Sequence, residues 1–251
     1  MIRGVFLAAT VALTLTGAVM AADAPIPAVI AAALADSARP ADDKAKDDNR
    51  KAAEVALFAQ VKPGDKVADV LPGGGYFTKI FAKIVGPEGR VYGVVSQPSK
   101  TSEALGSDPA FPNIKIAAQP WEQFNPTEKL DVVFISQFFH DLYNAKYGAA
   151  GGGPEGVAKF NKAIFDALKP GGVYIIIDHS GRPGTGYGEI GTLHRIDEPE
   201  VKKMVTEAGF VLEAESEALR NPADTRAVAV FDPSIRGKTD QFMLRFRKPK
   251  S

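Results

Sequence analysis

Cysteine is absent from the 251-residue sequence. This excludes disulfides, thiol catalysis, thiolate metal sites and a lipid-modified cysteine anchor. A charge imbalance is missing as well. Lys+Arg and Asp+Glu both number 30, and no basic patch alternates with aromatics. Neither nucleic acid nor an anionic membrane is therefore expected as a partner. There is no internal repeat, and no G-x-S-x-G elbow of the serine hydrolases. Histidine is scarce, with only His140, His179 and His194. The apolar run from Val5 to about Thr16 is short for a membrane span, and no stop-transfer pattern follows it.

The remaining composition, 45% hydrophobic and 24% charged, suits one α/β domain with a well-buried core. At the N-terminus Arg3 precedes the apolar run, which ends in the small-residue site Val19-Met20-Ala21. This pattern predicts a secretory signal over residues 1–21 and a periplasmic or secreted protein without stable membrane insertion after cleavage. Loss of Arg3 takes the net charge from 0 to about −1. Residues 22–60 read as a helical arm. Its charged run Asp36–Lys51 is expected to be a solvated helix face, or alternatively a lid whose Asp48 or Arg50 reaches a ligand. Residues 61–251 form the main domain.

That domain is organised around Lys66–Thr78, KVADVLPGGGYFT. Val67, Ala68, Val70 and Leu71 form an apolar strand containing Asp69. Pro72 stops it, Gly73, Gly74 and Gly75 turn the chain, and Phe77, Ile80, Phe81 and Ile84 have helical spacing. A glycine turn lets a ligand approach the backbone, and the helix that follows offers free N–H groups. The run gives G-x-G but places Thr78 where a dinucleotide fingerprint has its third glycine, which disfavours a nicotinamide dehydrogenase.

Further strands are expected at Arg90–Ser96, Ile114–Ala118, Leu130–Gln137 and Val173–Ile177, with two late ones at Phe210–Glu217 and Gln241–Lys248. Helices are expected at Val157–Leu168 and Glu198–Ala208, with helix and loop over Pro98–Phe111. Alternation of strand and helix predicts a doubly wound, Rossmann-like α/β sheet, mostly parallel.

Asp69–Gly75, together with Leu168-Lys169-Pro170-Gly171-Gly172 before a strong strand, resembles the class I S-adenosylmethionine-dependent methyltransferases. PGGGYFT, FHDLY, DHS, LHRID and KTDQFMLRFRKP resemble a group of exported methyltransferases within it. The resemblance implies a seven-stranded sheet with an antiparallel last strand and S-adenosyl-L-methionine above the first glycine turn. It implies donor contacts from Asp69, Gly73, Gly74 and Gly75, with Ser96 and Gln97 near the ribose. Two positions depart from the family pattern: Leu71 stands where glycine is usual, and Ser96-Gln97 where an acid usually holds the ribose hydroxyls.

Topology gathers the three histidines, with Asp141, Asp178 and Arg195, near the carboxyl ends of the fourth and fifth strands. In the leading reading His140 or His179 is a general base, Asp141 or Asp178 orients it, His194 stands close by, and no metal is assigned; the plainer reading makes all three structural, hydrogen-bonded loop residues. Phe138, Phe139, Tyr143, Tyr147 and Tyr187 offer an aromatic pocket for a small-molecule methyl acceptor, with the alternative that the Phe138-Phe139 pair is simply core. Two alternatives stay open: a non-catalytic ligand-binding protein on the same scaffold, and a metal-dependent enzyme using the histidine cluster.

Overall fold

A computed structural model describes residues 18–19, 25–146 and 148–250. The expected signal segment therefore lies almost wholly outside the described residues, as does Tyr147. No helix among the described residues is long and apolar enough to cross a membrane.

Seven strands make the sheet: β1 (Lys66–Val70), β2 (Arg90–Val95), β3 (Ile114–Ala118), β4 (Leu130–Ser136), β5 (Leu168–His179), β6 (Val211–Ser216) and β7 (Gln241–Arg247). Their order is β3-β2-β1-β4-β5-β7-β6. The first five run parallel, and β7 is antiparallel to both β5 and β6. The two residues Ala18–Val19 pair in parallel with β6 at that edge. The strand order reverses between β1 and β4, and ligands of such sheets bind at that switch point, beyond the strands' carboxyl ends.

The apolar runs read as strands because the sheet is covered on both faces. Val67, Val132, Phe134, Val173 and Ile175 face one core, shared with α1 (Ala28–Ala35), α3 (Ala52–Ala59), α4 (Tyr76–Val85) and α5 (Lys100–Ser107). Ala68, Val70, Val133, Ile135, Tyr174 and Ile176 face the other, against α6 (Gly153–Ala167) and α8 (Glu198–Glu207). The alternation is the period of two that a pleated strand imposes. β5 begins at Leu168 rather than at Val173, because Leu168 already pairs with Leu130.

The charged run departs from a solvated face. Arg39 is 2% exposed and donates through Nη1 and Nη2 to both oxygens of Asp47, at 2.8 and 2.6 Å. Nη1 also donates to the Leu34 carbonyl. Asp47 accepts in addition from the Tyr76 hydroxyl at 2.6 Å, and Lys79 pairs with Asp43 at 3.2 Å. Tyr76 and Lys79 lie in the first turns of α4, so the arm is tied to the helix that leaves the glycine turn. Arg39 holds the Asp47 carboxyl below its ordinary range despite the opposing effect of burial. Removing one partner of such a pair strands the other charge. Arg39→Ala should therefore lower the unfolding free energy by about 2–3 kcal/mol in urea titration. Arg182→Ala, which breaks an ion pair whose arginine is 56% exposed, should leave the urea midpoint unchanged.

Candidate functional site

The turn after β1 runs through left-handed backbone at Leu71 (φ 55°), Gly73 (φ 55°) and Gly75 (φ 79°). The Leu71 N–H donates to the Val94 carbonyl and the Gly75 N–H to that of Pro72, which fixes the turn against β2. A Cβ on Gly75 would sit 2.4 Å from Leu105 Cδ1, whereas one on Gly73 or Gly74 would meet nothing within 4 Å. The turn is packed beneath Gly75 and open above Gly73 and Gly74. Leu71 keeps the glycine-type conformation without being glycine, and its side chain is 42% exposed. Gln137, at the end of β4, is a second non-glycine residue in left-handed backbone (φ 57°). Both line the same cleft. Strain held at such positions is characteristic of ligand sites.

That cleft, about 330 Å³, lies between the turn, the end of β4 and the arm, with Asp69, Gly73, Gly74, Ser136, Phe138 and Arg50 in its walls. Asp69 accepts from the Thr78 hydroxyl at 2.6 Å. Burial pushes its carboxyl up to about 7, against the opposing pull of Thr78 and of the Arg50 charge. Arg50 comes from the arm, with its guanidinium 4.6 Å from the Tyr76 ring centroid and 5.9 Å from that of Phe77. Of the two lid candidates, Arg50 reaches the cleft and Asp48 is exposed outside its lining.

A second chamber of about 390 Å³ adjoins the first and shares Lys46, Arg50, Phe77, Ser136 and Gln137 with it. It extends over the tips of β5 and β7 to His179, Thr239 and Gln241, and is roofed by Leu219, Val230, Phe231 and Arg236 from the β6–β7 connection. Lys46, Arg50 and Arg236 line it, and no carboxylate does among the described residues. His179 lies 2.8 Å from the Thr239 hydroxyl through Nδ1. Burial brings its imidazole down to about 4, although Asp178 opposes the shift, so the ring is neutral at neutral pH.

The remaining histidines stand behind this wall. His140 is 3% exposed and lines neither chamber. Its Nδ1 is 2.8 Å from Asp178 Oδ1, and its backbone N–H donates to Asp178 Oδ2 at 2.7 Å. Asp178 is fully buried and also accepts from the His179 N–H. Burial opposes protonation of His140, but the Asp178 carboxylate outweighs it and raises the imidazole above its ordinary range. The rings of His179 and His194 lie 6.0 and 5.6 Å from that of His140, and Asp141 stands between His140 and His194. The histidines are thus neighbours, as topology predicted, but among them only His179 lines the second chamber, and none lines the first cleft.

Other expectations are revised. Arg195 is fully buried and pairs with Asp224 at 2.9 Å, a structural tie of the β6–β7 connection. Of the described members of the aromatic group, only Phe138 lines the cleft. Phe139 is in the core, and Tyr143 stacks on Tyr187 while its hydroxyl donates to Glu200. Ser96 and Gln97 follow β2 as expected but are exposed and contribute to neither chamber. Lys46, Gln137, Arg236 and Gln241 were not singled out from the sequence. Each is an ordinary polar residue whose position depends on the arm, on a strained strand end or on an irregular connection.

The strand order, the antiparallel β7 and the glycine turn at the switch point define the class I S-adenosylmethionine-dependent methyltransferase fold, and this chain has it. Solved structures agree. A SAM dependent methyltransferase from Aquifex aeolicus matches with a TM-score of 0.57 at 19% identity, covering 81% of this chain and 92% of that one. N-methyltransferase NodS from Bradyrhizobium japonicum matches at 0.54 and 14%, covering 83% and 98%. Aeropyrum pernix fibrillarin, in complex with S-adenosyl-L-methionine, matches at 0.51 and 18%, covering 80% and 76%. More narrowly, residues 46–106 match the family model of protein-L-isoaspartate(D-aspartate) O-methyltransferase. Protein-L-isoaspartate O-methyltransferase 1 of Arabidopsis thaliana is 34% identical over 132 residues, 48% of each chain, so this chain spans about half the length of that curated relative. The family-model segment carries Arg50, β1, the glycine turn, α4, β2 and all but the last residue of α5.

The left-handed Leu71 gives a direct test. Replacement by glycine removes strain at an exposed position, so Leu71→Gly should raise the unfolding free energy by about 1 kcal/mol, whereas Leu71→Ala should give no gain. Urea titration of the two variants beside the parent checks this.

Proposed function

We propose that the protein is an S-adenosyl-L-methionine-dependent methyltransferase whose acceptor carries a carboxylate, and that it acts outside the cytoplasm after loss of residues 1–21. One observation carries the reading: the open glycine turn with its buried Asp69 shares walls with a chamber lined by three cations and no carboxylate. The residues present fit the donor. The space over Gly73 and Gly74 admits a ligand against backbone, and Asp69 offers an acid to a molecule carrying ammonium and sulfonium charges. Bound donor supplies a methyl group already activated on sulfur. Transfer to a carboxylate oxygen forms a C–O bond and breaks the S–CH3 bond, whose electron pair stays on the sulfur as a neutral thioether.

An acceptor ionised at neutral pH needs no proton removed, so this chemistry requires no general base. That accords with a His140 walled off from the cleft and a His179 of low basicity. Lys46, Arg50 and Arg236 hold the acceptor's charge, while Phe77 and Phe138 exclude water. An isoaspartyl carboxylate is the acceptor favoured by the names of the family model and the curated relative, and export would place it on an envelope protein. Export is supported by Arg3, the apolar run and Val19-Met20-Ala21.

A second reading, ligand binding without turnover, is favoured by the exposed Ser96 and Gln97 where a ribose-binding acid is usual. Calorimetry with the donor, followed by methyl-ester formation on isoaspartyl peptides, separates the two. Ester formation supports the enzyme, binding alone supports the second reading, and no binding at millimolar donor removes both. Arg50→Ala should weaken donor and acceptor together, and Arg236→Ala the acceptor alone.

Ionisation of Asp69 adds a pH signature. With its carboxyl near 7, it is neutral in mildly acidic solution and charged above neutrality. Donor affinity should rise by up to about 30-fold between pH 5.5 and 8.5, following the ionised fraction. Asp69→Asn should flatten that rise. Calorimetric titrations at both pH values test the sign.

A further inference from the structure

We propose that His140, Asp141 and His194 form a binding site for one divalent transition-metal ion, of which zinc suits the donor set best. One nitrogen from each histidine and one carboxylate oxygen from Asp141 all lie within 4.8 Å of one another. His140 Nε2 is 3.6 Å from Asp141 Oδ2, and His194 Nδ1 is 3.8 Å from Asp141 Oδ1. Both separations exceed hydrogen-bond reach. They approach the edge of roughly 3.4 Å that donors about 2.1 Å from a tetrahedral zinc ion would have.

The surroundings point the same way. His140 Nδ1 lies 2.8 Å from the fully buried Asp178 carboxylate, both of whose oxygens already accept from backbone N–H groups, those of His140 and His179. In the neutral ring, the form that binds a metal, the proton therefore sits on Nδ1, and Nε2 presents a lone pair toward Asp141. A buried carboxylate behind a ligating imidazole is the arrangement that fixes the tautomer and aim of metal-bound histidines. His194 Nδ1 is buried and has no hydrogen-bond partner, and its backbone is left-handed (φ 52°). Two nitrogens and a carboxylate thus converge with no hydrogen bond between them, which a cation resolves. Two histidines and one carboxylate leave coordination positions open, and imidazole suits zinc among the abundant ions.

The site does not depend on the donor cleft. His140 and Asp141 belong to the 3-10 turn Phe139–Tyr143 after β4, while His194 follows α7 (Ile190–Leu193) in the connection from β5 to α8. A bound ion cross-links these two segments. The His194 ring lies 4.9 Å from Phe231, which lines the second chamber, so the ion also steadies that wall.

The test is equilibrium dialysis against zinc, with metal analysis, on the chain prepared without a polyhistidine tag, stripped with chelator and free of donor. One zinc per chain is expected at micromolar free metal. His194→Ala and Asp141→Asn should each weaken binding at least about tenfold, and His179→Ala should leave it intact. His194 and Asp141 are both partly exposed, so these variants keep the core. Cobalt(II) should give the visible absorption of a low-coordinate site in the parent and lose it in His194→Ala. Absence of zinc from the parent, affinity unchanged from the parent in both variants, or loss with His179→Ala alone would overturn the site. Donor binding is read separately, so failure here leaves the methyltransferase reading standing, and failure there leaves the metal site.

Discussion

The Asp47 carboxylate holds the candidate site together. It takes two hydrogen bonds from the buried Arg39 and one from the Tyr76 hydroxyl, joining the arm to the first residue of α4. Lys46 and Arg50 flank it in sequence, and both project into the cleft. The clamp seats the arm beside the cleft that Asp69 lines, and burial raises the Asp69 carboxyl to about 7. A multiply hydrogen-bonded ionic contact therefore sets the position, electrostatics and enclosure of the cleft together.

A second buried carboxylate, Asp178, organises the far end. It is satisfied by two backbone N–H groups and one imidazole, and in being satisfied it fixes both His140 and His179 at the tip of β5. The two rings then part. His179 turns to Thr239 and the cleft, while His140 turns to Asp141 and His194. One carboxylate thus separates a neutral cleft lining from a set of converging lone pairs. This division is why the histidines, adjacent in space, need not share a task.

Sheet and turn were legible because they are local. β1 to β4, β6 and β7 agree with the sequence pattern to within a residue or two at each end, because apolar, β-branched runs between glycine and proline signals leave little choice. Asp69, Gly73 and Gly74 could be placed because a strand followed by glycines fixes its own geometry. The charged run could not. Nothing in its composition distinguishes Arg39, buried at 2% exposure, from Lys46 on the surface, since the difference is made by Tyr76 some thirty residues away. The chamber roof was equally hidden. Val230, Phe231 and Arg236 lie in a segment without periodicity, anchored by Asn49 to the Gly237 carbonyl and by Arg195 to Asp224. The Phe pair divides between the two readings open to it: Phe138 lines the cleft, while Phe139, like Tyr143 beyond it, follows a strand that ends at the site yet points into the core.

The two departures from the methyltransferase pattern fall on one side of the cleft. Leu71 and the exposed Ser96 and Gln97 border β2, where a ribose would be held. The compensating features fall on the other side, where Arg50, Lys46 and Tyr76 enclose the turn. On the proposed reading, the loss of a charge-assisted bidentate contact to the ribose is offset by enclosure from the arm, and donor affinity depends on the arm being seated. Seating the arm requires the Arg39–Asp47–Tyr76 contact. Binding of donor and closure of the acceptor chamber are then one event, because Arg50 and Phe77 line both compartments.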